Sequence, residues 1–232
     1  MIYNQNCISG IVEYIKDNSI DLIVTSPPYK EQDGFSWLLI KDVAKQSFRI
    51  LKDNSLCFIN FGHLARFKSR PFKVALEFEK VGFEWVDTIM WVKNHYSPVQ
   101  GDKRVNNITE FIFMFAKGKN YHLDRLSIGV PYADKSNVGR YSDIDLKCRG
   151  NTWSIPYATI RRKDEKLHKD RFPVELPLWC IKLSGIKKDS VVLDPFGGSM
   201  TTGVACEELG MRFVGFEINE EVYQIGRERL LK

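Results

Sequence analysis

Two stretches carry residues able to act on a ligand, and they lie at opposite ends of the chain. In the first, the apolar run Asp21-Leu22-Ile23-Val24 stops at Thr25-Ser26-Pro27-Pro28-Tyr29. A run this short and β-branched reads as a strand buried on both faces. Two consecutive prolines fix φ and remove two backbone donors, so the strand ends and its carbonyls stay free to face a ligand. Ser26 adds a hydroxyl that donates or accepts, and Tyr29 adds a flat ring with a polar tip. In the second stretch, Val191-Val192-Leu193-Asp194 ends in Pro195-Phe196-Gly197-Gly198-Ser199-Met200 and opens into a helix from Thr201 to Leu209. Glycines allow close backbone approach, and the helix N-terminus presents free N–H groups. The strand that follows ends in Glu217, roughly 20 residues beyond the glycine turn, where βαβ units accept hydrogen bonds from a ribose.

Together these residues resemble the amino-group DNA methyltransferases that use S-adenosylmethionine. Ser26-Pro27-Pro28-Tyr29 is similar to their (D/N/S)PP(Y/F/W) catalytic motif. Asp194 to Thr202 is similar to their DPFxGSGTT cofactor motif, except that Met200 stands where glycine is usual. The order, catalytic motif first, resembles the β subgroup. The resemblance implies an α/β, Rossmann-like methyltransferase fold: a mostly parallel seven-stranded sheet with an antiparallel hairpin strand and helices on both faces, as one domain over residues 1–232. It implies that the Ser26 hydroxyl and the Pro27 carbonyl hold the hydrogens of an exocyclic amino group. Pro28 then keeps the loop rigid, and Tyr29 stacks on a base that has left the duplex.

The same resemblance implies S-adenosylmethionine as cofactor, bound by Asn6, Cys7, Thr25, Asp194, Pro195, Phe196, Gly197, Gly198, Ser199, Thr201 and Glu217. Asp194 would face the sulfonium end, the N–H groups of Gly197, Gly198 and Ser199 the carboxylate, and Glu217 the ribose. Asn6 stands nearest to a family Asp that accepts from the adenine amino group; a turn or cap role is the alternative. Cytosine N4 is the expected target, since Ser preceded by Thr is commoner in that group, with adenine N6 as the alternative. RNA or protein-glutamine methylation is a further reading. So is an inactive nucleotide-binding module, which rests on Met200.

Composition narrows the field. No apolar run approaches the ~20 residues of a membrane span and the first residues form no signal peptide, so a cytoplasmic location is expected. Five cysteines, scattered and never in C-x-x-C spacing, read as reduced core thiols, and four histidines lack ligand spacing, so no metal is expected. Methylation of cytosine at ring carbon 5 needs a cysteine nucleophile, which the enzymes of that family carry on a Pro-Cys dipeptide, and no cysteine here follows a proline.

The formal charge of +5 mildly favours a polyanion, and its distribution says more. Arg161, Arg162, Lys163, Lys169 and Arg171 belong to a run too dense in cations to bury, which reads as a phosphate-contacting loop or a solvated linker. Lys93 matches a family W-x-K pattern next to a loop that approaches DNA. Arg66 to Lys73 mixes cations with phenylalanines and reads as a solvated face before a phosphate grip. Lys30 to Gly34 is polar, either closing over a base or plain surface. Residues 119–150 show no sustained period and are the candidate target-recognition insertion, with Tyr121, Tyr132 and Tyr141 as anchors; a disordered insertion is the alternative. Asn151 to Tyr157 resembles a base-pocket segment, and Phe172 to Ile181 a helix starting over the cofactor. Duplex DNA is the implied partner, with a homodimer and a cognate restriction endonuclease as further partners that the resemblance suggests.

Overall fold

Alternate residues of the central strands fall into two separate apolar clusters. Ile23, Cys57, Ile59, Phe61, Phe111, Phe113 and Phe115 join one, while Leu22, Val24, Leu56, Phe58, Ile112 and Met114 join the other. A strand with period-2 side chains that are apolar on both faces can be buried only between two helical layers. The computed structural model, which describes residues 1–64, 66–95, 103–140, 143–157 and 172–231, has that three-layer form.

Its strands are β1 (Ile2–Asn4), β2 (Ile20–Thr25), β3 (Leu51–Gly62), β4 (Glu84–Val92), β5 (Thr109–Ala116), β6 (Thr152–Ser154), β7 (Val191–Asp194) and β8 (Arg212–Glu217). They form one sheet in the order β1-β8-β7-β2-β3-β5-β4-β6. Only the pairings made by β5 are antiparallel. Helices α1 (Cys7–Tyr14), α2 (Trp37–Ile50) and α3 (Arg70–Lys80) supply the first cluster; α4 (Glu175–Ser184) and α5 (Thr201–Leu209) supply the second, with Leu230 of α6 (Glu220–Leu230) packed against it.

The sheet has eight strands where seven were expected. The eighth, β6, is three residues long with only Trp153 buried, too short for any alternation to show. It pairs with β4 through Trp91 and Trp153. Residues 119–150 are tied to the second layer. Asp124 N donates to Leu183 O at 2.8 Å, Arg149 lies 4.0 Å over the Trp179 ring, and Val130 and Lys147 form an isolated bridge. Of the expected anchors, Tyr121 packs on the core, Tyr132 is partly buried, and Tyr141 lies outside the described residues.

β2 and β7 lie side by side, in register at Leu22 with Val192 and Ile23 with Leu193. Their tips are joined by a buried carboxylate: Thr25 Oγ1 donates to Asp194 Oδ1 at 2.6 Å, and Thr202 Oγ1, from the start of α5, donates to Oδ2 at 2.8 Å. Burial, the larger effect, raises the Asp194 pKa from 3.8 to about 6, although its three hydrogen-bond donors pull it down.

Two consequences can be measured. A Cβ at Gly10 of α1 would stand 2.3 Å from the Phe216 ring of β8. Alanine at a helix interior gains roughly 1 kcal/mol over glycine, but overpacking costs about 1–3 kcal/mol, so Gly10→Ala should lower the unfolding midpoint. An unchanged or higher midpoint would contradict this packing. Asp194 binds its proton more tightly folded than unfolded, so its contribution to stability is lost as pH rises from about 4 to about 6. Urea unfolding of wild type should therefore weaken by about 2 kcal/mol relative to Asp194→Asn between about pH 4 and about pH 7. Parallel pH profiles would show that the carboxyl titrates normally.

Candidate active site

Because β1, β8, β7, β2 and β3 are parallel, their carboxyl ends share one edge of the sheet, the usual place for a site in such folds. A cavity of about 440 Å³ lies there. Ser26 and Pro28 of the β2 bend line it, with Asp33 and Gly34 just beyond them. Pro195, Phe196, Gly197, Gly198, Ser199 and Thr201 line it from the glycine turn, and Asn6, Cys7, Phe216 and Glu217 from the ends of β1 and β8. Phe172, ahead of α4, also reaches it. The two motifs therefore share one cavity.

Several residues hold different posts from those expected. Asn6 is the N-cap of α1, its Oδ1 accepting from Ile8 N at 2.9 Å and Ser9 N at 3.4 Å. That geometry is the cap reading, and it still leaves the residue on the cavity wall. Thr25 and Asp194 sit behind the cavity, 1% exposed, with both Asp194 oxygens bound to protein donors. Asp194 thus shapes the turn from behind the cavity wall. Gly197 N donates to Phe216 O at 2.7 Å and Gly198 N to Glu217 Oε2 at 3.0 Å, so two of the three N–H groups assigned to a carboxylate already have partners. Burial pushes the Cys7 thiol up to about 12, which keeps it protonated and unreactive.

Met200 explains itself in three dimensions. Its φ of 57° is left-handed, the conformation for which glycine is usual. Its side chain, fully buried, lies where a Cβ on Gly197, Gly215 or Gly226 would stand within 3.0 Å of it. Glycines of the turn itself, of β8 and of α6 thus make the slot that a methionine fills, and the turn still closes with Met200 N on Gly197 O at 2.7 Å. Arg229 of α6 secures the same turn, donating to Ser199 O at 2.5 Å, Ser199 Oγ at 2.8 Å and Thr201 Oγ1 at 3.1 Å.

A polar network that sequence reasoning did not assemble lies behind Ser26. Tyr29 Oη is 2.9 Å from Ser26 Oγ, 3.0 Å from Asn60 Oδ1 and 3.1 Å from Glu110 Oε2. Asn60 Nδ2 donates to Phe111 O at 3.1 Å, which turns its Oδ1 toward the two hydroxyls. Glu110 is also paired with Lys93, whose ammonium lies 4.9 Å over Trp91 and 5.6 Å over Tyr157. Tyr29 is held as a neutral phenol by burial and by the Glu110 charge, which raise its pKa well above 10.0. Its ring is stacked on Phe61 at 4.4 Å. The signals for this cluster were faint: Asn60 is one polar residue in the apolar run Leu56 to Phe61, and Glu110 precedes another such run.

Lys93, expected on DNA, points into this network, and a phosphate contact would require it to leave Glu110. Arg161, Arg162, Lys163, Lys169 and Arg171 lie outside the described residues. Among the described residues, no group of His, Cys, Asp and Glu could hold a metal ion, and no helix is long and apolar enough to cross a membrane.

Comparison with known proteins agrees with this geometry. The type II methyltransferase M.SmaI of Serratia marcescens is 31% identical over 96% of this chain and 76% of its own length. The solved PvuII DNA methyltransferase (cytosine-N4-specific) superposes with a TM-score of 0.81 at 22% identity, covering 100% of this chain and 86% of that one. The M1.HpyAVI–SAM complex gives 0.70 at 22% identity, covering 99% and 98%. The profile of the N6/N4 methyltransferase family, described as DNA methylase, matches residues 20–228, and this chain belongs to that family.

Proposed function

We propose that the chain methylates the exocyclic N4 nitrogen of a cytosine swung out of duplex DNA, with S-adenosylmethionine as donor. The observation that carries this reading is the shared cavity, in which Ser26 and Pro28 stand opposite the glycine turn and Glu217. Its residues suit the donor. Glu217 can accept from ribose hydroxyls, Phe196 and Phe216 offer apolar walls, and about 440 Å³ lies within the usual range for small-ligand sites. When bound, the donor supplies an electrophilic methyl on a sulfonium. Met200, the reason for an inactive reading, is accommodated without opening the turn.

An exocyclic amino nitrogen is a poor nucleophile because its lone pair is conjugated with the ring. Acceptors that take both of its hydrogens localise that lone pair and absorb developing positive charge. Ser26 is suited to accept because its own proton is drawn inward. Both oxygens beside it, Tyr29 Oη and Asn60 Oδ1, lie in the network, and Tyr29 has the Glu110 carboxylate as its stronger acceptor. The serine lone pairs therefore face the cavity. The Pro27 carbonyl takes the second hydrogen, and Pro28 holds the bend. The base stacks on the Tyr29 face turned away from Phe61 and leaves the duplex to do so. The nitrogen's surplus proton passes to water, since a neutral serine is a weak base. Residues 119–150 and the basic segment 161–171 provide the DNA contacts, with 119–150 reading the sequence. The N6/N4 breadth of the family makes adenine N6 the competing target.

Liquid chromatography of nucleosides from duplex DNA treated with the enzyme should show N4-methylcytosine; N6-methyladenine alone would replace this target assignment. Ser26→Ala should lower kcat on the order of 10²-fold with cofactor affinity retained, while Glu217→Ala should mainly weaken cofactor binding. Tyr29→Phe, which keeps the ring but not the hydroxyl, should slow turnover roughly 3- to 10-fold, the worth of one hydrogen bond. Native rates in both Ser26→Ala and Tyr29→Phe would dismiss the acceptor network.

A further inference from the structure

The segment after the proline bend, residues 29–35, is folded around one guanidinium. Arg70, the first residue of α3, is 5% exposed. Its Nη1 donates to Tyr29 O at 2.9 Å and its Nη2 to Glu31 Oε1 at 2.6 Å. The flat group lies between two rings, 4.2 Å from the Phe35 centroid and 3.9 Å from that of Phe67. Bonds within the segment, Asp33 N and Phe35 N to Lys30 O at 2.9 and 3.0 Å and Gly34 N to Glu31 O at 3.1 Å, set its internal turn. Arg70 sets where that turn sits, because it touches the segment at its start, middle and end.

A buried cation costs several kcal/mol unless it is paired and hydrogen-bonded. The carboxylate paired with Arg70, on Glu31, is itself 63% exposed and is held below the usual carboxylate range by the Arg70 hydrogen bond. Val74 and Phe78 show that apolar residues pack well on the same helix. What only arginine brings is a planar fork with two donors and two stacking faces.

We propose that Arg70 is a positioning residue for the transfer reaction. It holds residues 29–35 so that Ser26 and the Pro27 carbonyl meet the target amino group while Asp33 and Gly34 close the same cavity. This rests on the function proposed above. The side-chain hydrogen bonds and ring contacts of Arg70 go to Tyr29, Glu31, Phe35 and Phe67, so its effect falls on turnover and not on donor binding.

The test compares Arg70→Met, Arg70→Lys and Glu31→Gln in the full-length enzyme by single-turnover methylation of duplex DNA, calorimetry of S-adenosylmethionine, and tryptic cleavage after Lys30 scored by mass. Both Arg70 variants should lose at least ~10-fold in rate with donor affinity within ~3-fold, lysine failing to substitute because it lacks the fork. Cleavage after Lys30 should quicken by ~10-fold as the segment is released, with Glu31→Gln intermediate. Native rates, a rate loss without faster cleavage after Lys30, or cleavage quickened equally at sites across the chain would overturn the proposal. If wild type methylates no DNA, the proposed function fails, while cleavage after Lys30 still decides whether Arg70 clamps the segment.

Discussion

The site depends on the hydrogen bond between Thr25 and Asp194. Two bends that are 169 positions apart in the chain become neighbours because β2 and β7 are adjacent and parallel, and this 2.6 Å contact fixes the relative height of their tips. The same carboxylate takes Thr202 from α5 and the N–H of Phe196. One buried group therefore sets the end of a strand, the path of the glycine turn and the start of a helix. Its placement asks for a carboxylate in an apolar surround, where ionisation is opposed, and three donors make that tolerable. The residue most central to the cofactor motif thereby acts from behind the cavity wall.

The one antiparallel strand has a chemical consequence as well as a topological one. All its partners deliver their last residues to the site edge, whereas β5 delivers its first. Glu110 lands opposite Gly62, the last residue of β3. Gly62 has no side chain, and a Cβ there would stand 2.7 Å from the Tyr29 ring. The ring can lie against this strand end because of that gap, with its hydroxyl reaching Glu110. Strand direction, one missing side chain and one carboxylate thus combine to set the Tyr29 hydroxyl between Ser26 and Glu110.

Much of this fold was legible because its strands are apolar on both faces and its two bends carry unusual residues. Helices α2 and α3 are marked in the chain by apolar residues that recur at helical spacing, and Ser36 caps α2. Strand β6 was not legible: three residues hold no period, and its partner β4 lies some 60 positions upstream. The cavity wall was legible where a motif marks it, as at Ser26 and Glu217. It was illegible where the role comes from a contact across the sheet. Asn60, Glu110 and Arg229 occupy positions open to any polar residue by local pattern, and only the register shows what they touch.

The cations make the same point in energetic terms. The run from Arg66 to Lys73 was expected to be a solvated face, and Arg66, Lys68 and Lys73 are exposed; Arg70, in the same run, is buried between two rings. Lys93 turns to Glu110, Arg229 to the glycine turn and Arg149 to Trp179. Each of these cations has neighbours that replace the hydration it gives up: a carboxylate, carbonyl or hydroxyl oxygens, or an aromatic face. Charge density along a sequence measures how hard a segment is to bury on average, but burial is decided residue by residue. A net excess of positive charge is therefore a poor guide to where DNA sits on this chain, because several of the cations nearest the cavity hold the enzyme's own loops in place.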